Sequence, residues 1–416
     1  MMNIFETAPG SAARAVYGEL LTKKICRHSS LCIMKQQTIN KKSALALPMA
    51  NNFTDRARAV ADTCVDCSIC VKQCRFLTRH GSPRRLAQLF LDNPTNNLAF
   101  HCSLCRLCTA VCPKDVDPAA LCMAQRCQVA HRQEEMQTRY RSLLAYEKWG
   151  SSSLLSSYAL PEGCDTIFFP GCALPGSRPQ RVLDVIDQLR RQIPNLGVVL
   201  DCCTKPSHDL GRLDYFQNMF SGLHGFLEEK GIRKVLVACP NCHRMFSEYG
   251  RLEVQTIYER LSAPHRAEGE ACVTVHDPCG VRFATEIHSA ARRLISETGL
   301  SVQEMKHHGP KTLCCGEGGA VGYLDRDLAQ TWTELRRQEA QERPVITYCA
   351  GCSHFLGKRL TCHHLLDLVF APQATLADRV RVSRSPLTYW QRWRLKKKIA
   401  ALLAPHRPLS RREAQT

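Results

Sequence analysis

Ten cysteines of this 416-residue chain fall into two successive copies of one pattern. The first copy is Cys172, then Cys202-Cys203, then Cys239-Pro240-Asn241-Cys242. The second is Cys279, then Cys314-Cys315-Gly316, then Cys349-Ala350-Gly351-Cys352. Equivalent positions lie 107, 112, 110 and 110 residues apart (Cys172 to Cys279, Cys202 to Cys314, Cys239 to Cys349, Cys242 to Cys352), which marks a tandem duplication with small loop changes. Such a chain must build the same unit twice. Each copy offers five thiolates where four would saturate a cubane iron-sulfur cluster, so the fifth implies a bridging ligand or a ligation that can change. The pattern points to redox chemistry.

Twenty-five cysteines would also suit a disulfide scaffold, but that reading belongs to short secreted chains, and no segment reads as a secretory signal. Clustering in C-x-x-C units favours metal ligation in a reducing compartment. The length suffices for two or three domains, and 44% hydrophobic residues for a sizeable core. The formal charge of +18 is concentrated at the ends: residues 1–50 carry +5, residues 371–416 carry +9, and +4 remains for the 320 residues between. Bound anionic clusters would bring that body close to neutral or below. No nucleic-acid partner is expected, although the basic ends could meet an anionic membrane or a protein.

Along the chain, residues 1–54 show no sustained period and are expected to be a disordered extension or a mis-assigned start, since Met34 and Met49 lie within them. A targeting peptide is the alternative. Residues 55–150 read as a helical unit: Ser82-Pro83 is a cap followed by proline at the first helical position, and 117–148 predicts one or two helices. Ser151-Ser152-Ser153 and Pro161-Glu162-Gly163 mark a linker. Short apolar runs then alternate with amphipathic stretches. Strands are predicted at 166–169, 198–200, 235–238, 273–275 and 345–348, with helices at 181–191, 213–230, 284–298 and 327–343. The cysteines fall where strands end, the edge at which open α/β sheets bind ligands. The expected fold is α+β overall: an all-α N-terminal domain, two tandem α/β repeats over 164–262 and 271–370, and a basic tail over 371–416.

Two further cysteine runs precede the repeats, Cys64-x2-Cys67-x2-Cys70-x3-Cys74 and Cys102-x2-Cys105-x2-Cys108-x3-Cys112-Pro113. Zinc sites usually show paired C-x-x-C units, which these are not. The runs resemble two-cluster ferredoxins, in which the fourth cysteine of each run serves the other cluster. That resemblance implies two [4Fe-4S] cubanes, one on Cys64, Cys67, Cys70 and Cys112, the other on Cys102, Cys105, Cys108 and Cys74. Arg75 stands where the pattern has proline, and the 27 residues between Cys74 and Cys102 resemble the helical ferredoxin domains of succinate dehydrogenase-type and heterodisulfide reductase-type subunits.

The duplicated pattern, with Phe169-Pro170-Gly171-Cys172, His276-Asp277-Pro278-Cys279 and Cys314-Cys315-Gly316-Glu317-Gly318-Gly319, is similar to the cysteine-rich CCG domain of heterodisulfide reductases. It also resembles the iron-sulfur subunits of glycolate oxidase and anaerobic glycerol-3-phosphate dehydrogenase, and a lactate-utilisation protein. The resemblance implies one or two further clusters, noncubane [4Fe-4S] in the family. One would use Cys172, Cys202, Cys203, Cys239 and Cys242, the other Cys279, Cys314, Cys315, Cys349 and Cys352. Thr204-Lys205-Pro206 replaces Gly316-Glu317-Gly318 in the first repeat, so the second is expected to be reactive and the first to relay.

Seven cysteines remain: Cys26, Cys32, Cys122, Cys127, Cys164, Cys272 and Cys362. They read as small buried hydrophobes or free thiols. His276, His307 and His308 are candidate donors to sulfur, and Lys205 could offset cluster charge. Near the end, Tyr389, Trp393, Ala400 and Leu403 share one side of a helix with Lys396 and Lys397, which suits an anionic surface, a membrane partner or solvent. No apolar run is long enough to span a bilayer. The expected function is an iron-sulfur oxidoreductase subunit, cytoplasmic or peripheral to the membrane. A flavoprotein dehydrogenase or other electron-transfer subunit is the expected partner, with a quinone or a disulfide as substrate, and a membrane subunit is also considered. No dinucleotide fingerprint occurs. A redox sensor or structural metal protein is the alternative.

Overall fold

The repeats build two sheets of the same order in the computed structural model, which describes residues 53–130 and 138–403. In the first, β2 (Thr166–Phe169) pairs in parallel with β3 (Gly197–Leu200) on one side and β4 (Lys234–Val237) on the other, and β4 pairs with β5 (Glu253–Thr256). In the second, β6 (Cys272–His276) lies between β7 (Ser301–Val302) and β8 (Val345–Thr347), and β8 pairs with β9 (Cys362–His364). The central strands carry continuous apolar runs, as strands covered on both faces must: Ile167, Phe168, Phe169, Val235, Leu236 and Val237 are all fully buried. The chain thus turns first to one side of the central strand and then to the other. Cys172, Cys202-Cys203 and Cys239 follow the ends of β2, β3 and β4, at the edge where that reversal opens a crevice.

The sheet edges depart from expectation. The supposed linker contains β1 (Ser157–Ala159), which adds to β3 antiparallel, Tyr158 opposite Val199. Three residues are too few to show a period. The predicted helices are present as α5 (Pro179–Gln192), α6 (Leu213–Glu229), α8 (Thr285–Glu297) and α9 (Arg326–Ala340); α7 (Pro240–Tyr249) and α10 (Ala350–Leu356) start directly after Cys239 and Cys349.

N-terminal to the sheets the regular elements among the described residues are helices, the longest being α1 (Phe53–Thr63), α2 (Pro83–Asp92), α3 (Pro118–Val129) and α4 (Arg141–Gly150). Ser82 caps α2, its hydroxyl accepting from the Arg85 amide, as the cap-proline pair predicted. The fold is therefore mixed helix and sheet. The first 52 residues, on which the expectation for the extension rests, and residues 404–416 lie outside the described residues.

After α11 (Leu365–Phe370), the basic tail holds α12 (Leu387–Leu402), which packs on the body of the protein. Arg392, Leu395, Ile399 and Leu403 face inward, whereas Trp390 is exposed. Arg392 anchors it: its guanidinium donates to the carbonyls of Gly150, Leu155 and Cys172 at 2.9–3.3 Å. Lys396 extends the seam, its Nζ 2.7 Å from the Ser153 oxygen. No helix among the described residues is long and apolar enough to cross a membrane.

Candidate metal centres

The two N-terminal cysteine runs fold into matching loops. Residues two and four places after the first cysteine take positive φ in both, Asp66 (51°) and Ser68 (60°) in one, Leu104 (51°) and Arg106 (59°) in the other. These left-handed steps curl the backbone so that successive thiols face one interior point, at a conformational cost of about 1 kcal/mol each. A partly open cavity is lined by Cys64, Cys67, Cys70 and Cys112, and a second by Cys74, Cys102, Cys105 and Cys108. Cys108 lines both, so the cavities adjoin. The fourth cysteine of each run thus stands in the other run's cavity, the arrangement that the ferredoxin resemblance implies.

These cavities suit a cationic metal core. Burial, then the charges of Cys64 and Cys112, push the Cys70 thiol up to about 11, and burial followed by Cys105 and Cys102 raises Cys74. Grouped buried thiolates are unstable without positive charge among them. In the second cavity the Ser103 hydroxyl and Trp332 Nε1 are buried without a partner, donors that a bound sulfide would satisfy.

Each repeat places a residue of positive φ directly after its Cys-Cys pair. Gly316 takes φ 105° and Thr204 at the matching place φ 58°, so the left-handed step persists without the glycine. In the first repeat, the Cys242 thiol lies 3.4 Å from Cys203 Sγ, and Cys202 donates to Cys172, which holds Cys172 low against its burial. In the second, Cys314 neighbours Cys279 and Cys315, and Cys315 neighbours Cys352. All five cysteines of each repeat converge.

Two contacts join these groups. Cys314 donates to Cys105, a lining residue of the second ferredoxin cavity, and so lowers its pKa against burial. Cys239 of the first repeat takes hydrogen bonds from Cys242 and from Cys349 of the second. The glycine-rich loop makes the first contact close: a side chain at Gly318 would begin 2.5 Å from the Ser103 carbonyl, and one at Gly319 2.5 Å from that of Cys102. Arg126 fastens the junction, donating to Cys102, Ala99, Asp209 and Gly319 carbonyls.

Other candidates divide. His276 stands at the second repeat's site, its ring within 4.8 Å of the Cys315 and Cys352 sulfurs. His307 and His308 do not: the first pairs with Glu339, and the second bonds the Met305 carbonyl at 2.8 Å. Lys205 is paired with Asp209 and close enough to Cys279 to feel its charge. Among the leftover cysteines, Cys122 donates to Cys102 and lines the second cavity, a position one helical turn before Arg126 that no spacing rule signals. Sequence reasoning also missed Arg282, which reaches the Cys105 carbonyl at 2.7 Å, and Tyr146, whose hydroxyl donates to Cys172. Cys26 and Cys32 lie outside the described residues.

Comparison with known proteins agrees with this layout. A 4Fe-4S dicluster domain model matches residues 63–117, and the cysteine-rich CCG domain matches twice, over 166–247 and 273–357. A fumarate reductase (CoM/CoB) subunit of Methanothermobacter marburgensis is 23% identical over 333 residues, covering 70% of this chain and 66% of that protein, just under two thirds. A dihydromethanophenazine:CoB–CoM heterodisulfide reductase subunit of Methanosarcina barkeri is 25% identical over 46% of this chain and 53% of its own. An EtfAB:quinone oxidoreductase of Syntrophomonas wolfei is 22% identical over 58% of this chain and 39% of that protein.

Proposed function

From a chain that is an iron-sulfur protein of the CCG type, related to heterodisulfide reductase and carrying several iron-sulfur clusters, we infer an electron-transfer subunit that joins a redox partner to a reaction at its CCG sites. The observation that carries this reading is the unbroken file of cysteine groups. Cys64/67/70/112 adjoin Cys74/102/105/108 through Cys108; Cys105 meets Cys314 of the second repeat; and Cys349 meets Cys239 of the first. The ligand sets are proposed to be those four groups, each holding a cluster that accepts and returns single electrons when bound.

The protein supplies order and insulation. Cys67 is exposed and flanked by Val65 and Ile69, 53% and 41% exposed apolar side chains, so the first group opens on a surface suited to a partner. Cys314 and Cys315 are buried, which keeps water from the interior groups. The second repeat, next to the ferredoxin module, is proposed as the reactive site; the first lies beyond it and holds a further electron for a two-electron reaction. A disulfide or a quinone would be the terminal substrate, and a flavoprotein the partner. Support comes from relatives named as a heterodisulfide reductase subunit and an EtfAB:quinone oxidoreductase.

The test is anaerobic purification with iron and sulfide analysis and EPR during stepwise reduction, followed by reoxidation with disulfides and quinone analogues. Reversible signals from both modules, discharged by one of these acceptors, are expected. Zinc in place of iron and sulfide, or clusters that no acceptor reoxidises, would refute the reading.

A further inference from the structure

The two CCG sites have the same topology but different walls. The last residue of each central strand stands three places before the leading cysteine: Phe169 on β2 before Cys172, and His276 on β6 before Cys279. Phe169 is fully buried in a cluster with Cys203 and Cys242, packs edge-on to Phe246 at 5.2 Å, and shares that cluster with Phe216, Phe220 and Leu223 of α6. The first site is therefore walled by hydrocarbon on this side.

His276 occupies the same place against Cys315 and Cys352, the counterparts of Cys203 and Cys242. It is 1% exposed, its ring has the Cys315 thiol as its hydrogen-bonding neighbour, and no oxygen or nitrogen atom of the described residues satisfies either ring nitrogen. An imidazole in this place offers one ring nitrogen as an acceptor or ligand and the other as an N–H donor. Arg336 of α9 is also fully buried; one terminal nitrogen holds the His307 carbonyl and Glu339, while Nε and Nη2 are unpartnered. Cys315 and Cys352 act on its charge. Four buried nitrogen atoms with no oxygen or nitrogen partner would be a costly defect in a finished core. They are satisfied if sulfur or metal stands among Cys315, Cys352, His276 and Arg336.

We propose that His276 and Arg336 are direct contacts of the cluster in the second CCG site and make its reduction potential higher than that of the first. The inference rests on the function proposed above. Adding an electron adds negative charge, which a guanidinium and an imidazole N–H or N-ligand stabilise and an aromatic hydrocarbon wall does not. An electron arriving through Cys105 and Cys314 then settles first on the second repeat, and the first repeat fills only under stronger reduction.

The experiment is an EPR-monitored redox titration of the full chain with His276→Phe, which copies the first site, and with His276→Gln and Arg336→Lys, which keep a polar group or the charge. Comparison is restricted to preparations whose iron and sulfide content equals wild type; absence of clusters from wild-type CCG sites would instead defeat the underlying function. In wild type the second-site signal should appear at the higher potential and carry ¹⁴N hyperfine coupling in pulsed EPR. His276→Phe should move that signal to lower potential and remove imidazole coupling, with ferredoxin signals unmoved. His276→Gln should move it less, and Arg336→Lys should keep the coupling. A second-site signal at or below the first, or one unmoved in His276→Phe, or wild-type spectra without nitrogen coupling, would overturn the proposal.

Discussion

Arg126 makes four hydrogen bonds with one side chain, at 2.6–3.1 Å, to carbonyls from three parts of the chain. Ala99 and Cys102 belong to the helical module, Asp209 to the first repeat and Gly319 to the second. Its guanidinium also lies over the Phe100 ring. Because the residue is fully buried, no water replaces it. Arg126→Leu should therefore strand several carbonyls, each at about 1–3 kcal/mol, and cost roughly 3 kcal/mol or more. Arg126→Lys, with the charge but not the planar fork, should fall between. Anaerobic denaturant unfolding of cluster-loaded protein measures both, and a loss below about 1 kcal/mol for Arg126→Leu would show that the junction does not depend on it. Gly319 is the second fixed point: with φ 61° and the Cys102 carbonyl 2.5 Å from any added Cβ, it accepts no side chain without movement. The glycine was visible in the sequence, but the backbone it touches lies more than two hundred residues away.

Elements were legible where several residues shared one environment. The runs at 167–169 and 235–237 are apolar because both faces of the sheet are covered, so composition alone announced them. Ser157–Ala159 and Cys362–His364 were missed because three residues give no period and their burial comes from neighbours. The packed side of α12 was not legible, because Arg392 is held by carbonyls remote in sequence. His364 shows what such a short element can do. At the start of the helix Leu365–Phe370, its Nδ1 accepts the Leu366 amide at 3.2 Å, which requires an unprotonated nitrogen. Burial, aided by the charge of Arg178, holds its pKa well below the ordinary 6.5. The unfolded chain thus binds a proton that the folded chain refuses. Stability should be full above about pH 6.5 and fall on acidification below it, by about 1.4 kcal/mol per pH unit for this one group. His364→Asn can still accept the amide but does not titrate. Its unfolding midpoint should match wild type near pH 7.5 and exceed it near pH 5; equal slopes in the two proteins would exclude His364 as a source of acid sensitivity.

At the scale of the molecule, the sequence supplied the members of each cysteine group but not their order in space. The ferredoxin resemblance tied Cys112 to the first run and Cys74 to the second, and duplication tied the repeats together. Nothing local in Cys105 or Cys314 foretold that they meet, because that contact depends on how the Gly318-Gly319 loop lies on Cys102-Ser103. The order has a consequence that separates it from four independent sites. Cys67 is exposed at the outer end of the file, whereas Cys105 is buried at the junction between modules. Cys67→Ala should disturb the first group alone, leaving the spectra of the other groups as in wild type. Cys105→Ala removes a proposed ligand of the second group and the neighbour of Cys314 together. It should change the signals of both the second ferredoxin group and the second CCG site, and slow reduction of the CCG sites by a partner at the exposed end at least tenfold, about 1.4 kcal/mol of barrier. Rapid-freeze EPR after mixing with a reduced low-potential donor resolves the two cases. If Cys105→Ala alters only the second ferredoxin signal and the CCG sites fill at the wild-type rate, electrons do not pass through the Cys105–Cys314 junction.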